Sequence, residues 1–179
     1  QGYLVDPPGL FSSSGVRVRP VVLDAEGRVA VNPLTNGRRL IETHAFVPKI
    51  PGIIDGDPAG SALLNRTVDA LGSPVAGAAI EFGFSRPVQA FGAWVVEDSA
   101  ESNRFVLRIT DAGGSTFISP AMDSANGASL AVEGFIGAVF ASGIARAVIE
   151  QQVAGPGGVG APSSSDFFYL DHVQVGETG

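Results

Sequence analysis

Residues 77–85 read GAAIEFGFS, and the alternation in this stretch decides the fold class. Three large apolar residues fall on one face of an extended chain: Ile80, Phe82 and Phe84. A glutamate, a glycine and a serine occupy the opposite face. Because side chains alternate across a β-strand, the pattern predicts a strand with one buried face. The stretch RFVLRIT at 104–110 alternates in the same way.

Four further runs are typical of strands. VQAFGAWVVED (88–98) is apolar on both faces, as in a central strand of a sandwich. IARAVIEQQV (144–153) could be helical by composition, but its length and glycine-bounded start favour a strand. VRVRPVVL (16–23) indicates a strand in which Pro20 requires an edge position or a bulge.

The fourth run, ASLAVEGFIGAVF (128–140), has Gly134 and Gly137 inside it. Glycine within a strand indicates a bulge or a close neighbour.

Turn signals separate these runs, and together they predict the architecture. DAEGR, LTNGR, DAGGS and SANGA each provide a glycine where a positive φ has little cost. Eight to ten short strands at this spacing predict an all-β fold, a single antiparallel β-sandwich of jelly-roll type. We assign residues 1–15 to an N-terminal arm or first strand and residues 16–179 to the sandwich domain.

Composition excludes several classes of function. The chain has 179 residues, a formal net charge of −7 and no cysteine. An acidic chain with scattered basic residues is a poor partner for nucleic acid or for an anionic membrane surface. The absence of cysteine excludes a disulfide framework, a thiolate nucleophile and cysteine-based metal sites. No apolar run is long enough for a transmembrane helix.

The second half of the chain resembles the jelly-roll β-sandwich domain of exported bacterial proteins, as found in proteins with a PEP-CTERM sorting tail. The resemblance covers about residues 80–176. The matching positions are Phe84, Pro87, Val88, Ala90, Gly92, Asp111, Gly114, Gly134, Phe135, Gly137, Ile144, Ala147, Ile149, Phe168, Leu170, Asp171, Val173, Val175 and Gly176. It implies an exported, non-enzymatic module, so we expect a secreted or cell-surface protein. The first 75 residues show no such match.

Calcium is a candidate cofactor, because acidic residues recur in segments that resemble loops. Calcium takes six to eight oxygen ligands, usually including two or three carboxylates. The candidate ligands are Asp171, Asp55, Asp57 and Asp98, with Glu97 and Glu101 nearby in sequence. The alternative is that the loop carboxylates are solvated and that Asp171 accepts backbone hydrogen bonds.

Catalytic signals are weak, and we predict no catalytic residues. His44 and His172 are the only histidines, and neither has metal or triad spacing. Glu97 and Asp98 are adjacent, so on a strand they would point to opposite faces. Pairing of Glu81 with Glu133 or Glu150 across strands stays open.

Aromatic residues are the candidates for sugar binding, because flat rings pack on pyranose faces. Trp94 and Tyr169, with Tyr3, are the side chains to consider. The run FGAWVV around Trp94 is typical of a core strand, which favours a buried indole and weakens this alternative.

The N-terminal stretch QGYLVDPPGLFSSSG suggests a role in assembly. Tyr3, Val5 and Phe11 could form a donor strand that completes the sheet of a neighbouring molecule. The alternative is an ordinary first strand or a frayed arm.

The sequence therefore predicts a non-enzymatic structural or adhesive protein of the cell surface or of an extracellular assembly, such as a filament or sheath subunit. Its expected partners are copies of itself or other surface proteins. A carbohydrate-binding module with a glycan ligand is the alternative, and a hydrolase of unknown type is the third possibility.

Overall fold

The structure is a computed structural model that describes residues 2–4, 15–24, 26–30, 41–45, 61–65, 67–73, 75–97, 103–123, 131–153 and 168–176. These residues form strands, turns and bridges, and none of them is helical. The strands are β1 (Gly2–Leu4), β2 (Val16–Val22), β3 (Ile41–Ala45), β4 (Ser61–Asn65), β5 (Ala78–Glu97), β6 (Asn103–Asp111), β7 (Thr116–Ile118), β8 (Met122–Asp123), β9 (Ala131–Val153) and β10 (Phe168–Gly176).

Two long, bent strands organise the molecule. β5 has 20 residues and β9 has 23, and their antiparallel register breaks between Gly83 and Val88. Before that break β5 pairs with β2, and after it β5 pairs with β10. The first layer therefore contains β2, the start of β5, the end of β9, β6 and the short strands β7 and β8. The second layer contains β1, β3, β4, β10, the end of β5 and the start of β9.

The buried faces of the two layers pack on each other. Phe82 of the first layer lies 4.9 Å from Phe91 of the second, measured between ring centroids. Phe105 and Phe168 make a second contact between the layers at 5.5 Å. One continuous cluster of buried apolar residues includes side chains from both layers. The predicted fold class, an antiparallel β-sandwich of jelly-roll type, is confirmed.

Several local predictions are confirmed as well. The IARAVIEQQV run is part of β9, so its strand assignment is correct. Pro20 lies in β2, which pairs only with β5 within the described part of the chain, as an edge position requires. The sequence predicted GAAIEFGFS and VQAFGAWVVED as separate strands, whereas residues 78–85 of the first and 88–97 of the second belong to β5. The chain bends at exposed residues 85–87 and continues into the other layer without reversing.

Three turns share one sequence pattern, D-A-x-G followed by Arg or Ser, at 24–28, 69–73 and 111–115. In each, one carboxylate oxygen of the aspartate accepts the amide N–H of the residue four positions later, at 2.8–2.9 Å. The glycine has a φ of 76° to 86°. Aspartate can close a turn through its own side chain, and glycine adopts a positive φ without steric cost. Sequence analysis identified the first and third turns as glycine turns.

Candidate functional site

An aromatic pair lies on the outward face of the second layer. Trp94 of β5 stands directly opposite Phe135 of β9 and directly opposite Asp171 of β10. Ala93 and Val95, which flank Trp94 in the chain, are in the core. Trp94 is therefore on the side of the sheet that faces away from the core. The cross-strand row Asp171–Trp94–Phe135 places a carboxylate and two aromatic side chains side by side. We call these three residues and Gln174 the aromatic platform.

Two glycines let the ring of Phe135 lie close to the sheet. Gly92 and Gly137 face each other across β5 and β9, two residues along each strand from the aromatic pair and therefore on the same face. A Cβ built on Gly92 would come within 2.2 Å of the Cζ of Phe135, and one on Gly137 within 2.8 Å of its Cε1. The ring therefore occupies the space that two side chains would fill. Phe135 remains 45% exposed, which is unusual for a phenylalanine in a central strand.

Trp94 is half-buried and contacts Phe135 edge to face. The ring centroids are 5.7 Å apart and the planes are inclined by 66°. Within the described part of the chain, the indole N–H of Trp94 has no hydrogen-bond acceptor. The indole N–H is a hydrogen-bond donor, so on this outward face it can donate to a ligand oxygen. The prediction that Trp94 belongs to the core was wrong, because FGAWVV directs its other face inward.

Polar side chains border the aromatic pair on the β10 side. Asp171 is half-buried, and the exposed Gln174 lies opposite Gly92 beyond a register shift in β10. Tyr169 is half-buried opposite Val96, on the other side of the Asp171–Trp94 pair from Gln174. Both Tyr169 and Asp171 have further interactions within the protein. Their positions place hydrogen-bonding groups next to the apolar rings.

The platform face is covered at one end and open at the other. Val96 has 0% exposure, Trp94 is half-buried, Phe135 is 45% exposed and Val139 is 80% exposed. All four lie on the outward face of β5 and β9. The exposure of these apolar side chains therefore increases along the outward face, from the indole of Trp94 towards Val139.

The proposed calcium ligands do not form a cluster that the structure describes. Asp55, Asp57 and Asp98 lie outside the described residues, as does Glu101. Across the described ranges, no group of three or more histidine, aspartate or glutamate side chains could hold a metal ion. Asp171 is placed beside Trp94, and calcium binding stays a prediction.

The proposed assembly residues are only partly described. Tyr3 lies in β1, which pairs with β3 of the same chain, with Tyr3 opposite Glu42. Val5 and Phe11 lie outside the described residues. The pairing matches the alternative of an ordinary first strand, and the exchange of this strand between molecules stays a prediction. His44 lies in β3 and His172 in β10.

Two of the glutamates considered for catalysis are bound to arginines on the outward face of the first layer. Glu81 accepts hydrogen bonds from the Nε atoms of Arg19 and Arg146, the latter at 2.6 Å. Glu150 accepts one from Arg108 Nε at 2.7 Å. Each carboxylate is thus paired with an arginine and is not paired with the other carboxylate.

Sequence analysis identified Trp94 and Tyr169 as candidates for sugar binding and Asp171 as a candidate calcium ligand, and it did not single out Phe135 as a ligand contact. The signal for Phe135 was the glycine spacing in EGFIGAVF, where we expected a bulge or a close neighbour. Both features occur: the register shifts next to Gly134, and Phe135 packs over Gly137.

Comparison with known proteins finds remote similarity to solved structures. No family model and no curated protein sequence matches it. The enzymatically active domain of bacteriophage CBA120 tailspike protein 4 is 14% identical with a TM-score of 0.38; the match covers 91% of this chain and 19% of that one. An exo-β-agarase is 17% identical with a TM-score of 0.46, over 90% of this chain and 25% of the agarase.

A mutant of a family 29 carbohydrate-binding module is 8% identical with a TM-score of 0.37, and the match covers 88% of this chain and 89% of the module. The chain thus spans about a fifth to a quarter of the first two structures. All three TM-scores are below 0.5, so the assignment of the sandwich rests on this chain's own strand pairing and core. In the part of the chain that is described, no helix is long and apolar enough to cross a membrane.

Proposed function

We propose that this protein is a carbohydrate-binding module whose ligand lies on the aromatic platform. The observation that carries the proposal is the row Asp171–Trp94–Phe135 on an outward sheet face. Aromatic rings offer a flat apolar surface to the C–H faces of pyranose rings, and nearby polar groups fix their orientation through hydroxyls. The same row contains both kinds of group.

The details of the platform favour a sugar over an apolar partner. The Trp94 N–H can donate to a sugar oxygen, Asp171 can accept from hydroxyls, and the exposed Gln174 can do both. The exposed area of Phe135 continues towards Val139, which gives an extended ligand room to leave the indole. A purely apolar partner would leave the polar groups of Asp171 and Gln174 at this face without a matching hydrogen-bonding group.

The ligand class is a neutral glycan. Asp171 is the one titratable side chain of the platform, and it stands beside Trp94. A uronate or a sulfated sugar at the indole would bring a second negative charge close to this carboxylate, and like charges repel. The proposal includes secretion or display at the cell surface, where polysaccharides occur. The prediction that the protein is not an enzyme stays a prediction.

The proposal is tested by affinity electrophoresis on a panel of soluble neutral polysaccharides, followed by calorimetry with an oligosaccharide of the best one. Trp94→Ala and Phe135→Ala should each weaken binding about tenfold or more, which corresponds to about 1.4 kcal/mol. Phe117→Ala is the matched control, because Phe117 is also 45% exposed but lies on β7 of the other layer.

A third variant tests the shape of the platform without removing an aromatic group. Gly92→Ala places a methyl group in the volume that the Phe135 ring occupies, so the ring must move away from the sheet. We expect weaker glycan binding with the fold intact. Binding that is equal in wild type and all three platform variants would refute the platform as the site.

A further inference from the structure

The outward face of the first layer, on the opposite side of the sandwich, has a second feature. Arg17 of β2, Gly83 of β5, Arg146 of β9 and Thr110 of β6 form one cross-strand row. Neighbouring strands lie about 5 Å apart, so the two arginines flank the glycine at about 10 Å from each other. In this row, Gly83 therefore lies between two arginines.

Gly83 leaves a notch in this row. A Cβ built there would have one neighbouring atom within 4 Å, the backbone oxygen of Arg17 at 4.0 Å. Phe82 and Phe84 direct their side chains into or against the core, so Gly83 is on the outward side. The notch is accessible to solvent, because Gly83 is only partly buried and Arg17 is exposed.

Among the described residues, arginines outnumber carboxylates around the notch. Glu81 lies two residues before Gly83 on the same face, and its two carboxylate oxygens accept hydrogen bonds from Arg19 and Arg146. Arg17 adds a third guanidinium. Within the described residues, three arginines share this part of the face with Glu81, and Arg19 has further interactions within the protein. Like charges that are close together repel, and an anion bound between them would offset this repulsion.

The donors of the notch are available to a ligand. Within the described residues, Arg17 has no ion pair, and Arg146 uses only its Nε, bonded to Glu81 at 2.6 Å. This bond holds the guanidinium in place, while its two terminal nitrogens have no acceptor among the described residues. Thr110 is opposite Arg146 and contributes a hydroxyl. Guanidinium groups bind carboxylate and sulfate oxygens through paired N–H donors.

We infer that the notch is a binding site for an oxyanion, a carboxylate or a sulfate group, seated over Gly83 between Arg17 and Arg146. The anion can be a free ion or can belong to an acidic sugar, since both present the same oxygens. The site lies on the layer opposite the aromatic platform, so the inference is independent of the proposed function.

The test is an NMR titration of the full chain at constant ionic strength, with sodium sulfate, sodium glucuronate and neutral glucose as probes. We expect saturable shifts of the Gly83 and Arg146 backbone amides with one or both anions and none with glucose. Binding of sulfate but not of glucuronate identifies a site for a free ion. Tighter binding of glucuronate than of sulfate identifies an acidic sugar as the ligand. The absence of saturable shifts with both anions would overturn the inference.

Two kinds of variant separate a built site from diffuse attraction. Arg146→Gln and Arg17→Gln should each weaken anion binding about tenfold, whereas Arg86→Gln, at the exposed bend of β5, is the control and should not. Gly83→Ala keeps every charge and meets no atom closer than 4.0 Å, so the fold should tolerate it while the methyl group fills the notch. Unchanged anion affinity in Gly83→Ala, or equal losses in all arginine variants, would show that only diffuse attraction operates.

Discussion

Gly143 of β9 packs against Pro87 of β5 at the corner where both long strands pass from one layer to the other. A Cβ built on Gly143 would lie 2.8 Å from the Cβ of Pro87, and Gly143 has a φ of 80°. Two requirements therefore meet at one residue, a left-handed backbone and the absence of a side chain. This contact lets one set of paired strands form both layers of the sandwich.

Gly143→Ala should destabilise the protein more than an ordinary glycine replacement does. The alanine would have both an unfavourable φ and a clash with Pro87, and we expect a loss of about 3 kcal/mol or more in the free energy of unfolding. Gly114→Ala is the control, because its φ is 86° and nothing lies within 4 Å of the added Cβ. Urea denaturation of both variants measures the difference, and equal losses would contradict the role of the corner contact.

The ring contact between the layers should contribute much of the stability. Phe105 is fully buried and contacts Phe168 of the other layer. Phe105→Ala should lower the free energy of unfolding by about 3–5 kcal/mol, since it removes a large buried side chain and leaves a cavity. Phe117→Ala, at a 45% exposed position, should cost much less. A small effect at Phe105 would mean that the two layers do not pack as described.

The pair of Arg108 and Glu150 should be sensitive to the loss of one partner. Their side chains are 15% and 5% exposed, and Gly27 of the Asp24–Arg28 turn lies directly over the Arg108 guanidinium. Glu150→Gln leaves that cation partly buried without its carboxylate, at a cost of about 3 kcal/mol. Asp123→Asn breaks the exposed pair with Arg104 and should cost about 0–1 kcal/mol. Chemical denaturation would contradict this ranking if both variants had the same stability.

Asp24 should make stability depend on pH in the acid range. The amide N–H of Arg28 and its guanidinium donate to this carboxylate, and they hold the pKa of Asp24 below its usual value of 3.8. The folded state therefore favours the charged form. Its contribution is complete above the unfolded pKa and is lost as the pH falls through the lower folded pKa.

The measurement is a set of urea denaturations of wild type and Asp24→Asn between about pH 2 and about pH 6. Wild type should be the more stable at the upper end of this range. The difference should shrink as the pH falls below 3.8, because Asp24 becomes neutral like the asparagine. A difference that stays constant over the whole range would show that the charge of Asp24 makes no contribution.

Sequence reasoning recovers the class of the fold because the pattern of single strands is local. The alternation around Phe82 and Phe105 indicates which face is buried, and the D-A-x-G turns mark where strands end. The sequence does not indicate that residues 78–97 form one strand shared by two layers. This depends on the contact of Pro87 with Gly143, which are 56 positions apart.

The site is harder to predict for the same reason. Trp94, Phe135 and Asp171 lie on three strands, and only their register places them in one row. FGAWVV resembles a core segment because a central strand can be apolar on both faces, although only its alternate residues Phe91, Ala93 and Val95 face the core cluster. Two glycines beneath Phe135 make the platform, and glycine spacing alone does not show which ring will cover them.

The most direct measurement is a fluorescence titration, because Trp94 is the only tryptophan of the chain and lies at the centre of the platform. With a neutral oligosaccharide that calorimetry shows to bind, we predict a saturable change in tryptophan emission with the calorimetric affinity. Phe135→Ala should weaken both signals together, and Phe117→Ala should change neither. Calorimetric binding that leaves the emission of Trp94 unchanged would place the ligand elsewhere, and the absence of binding across the panel of neutral glycans would contradict the proposed function itself.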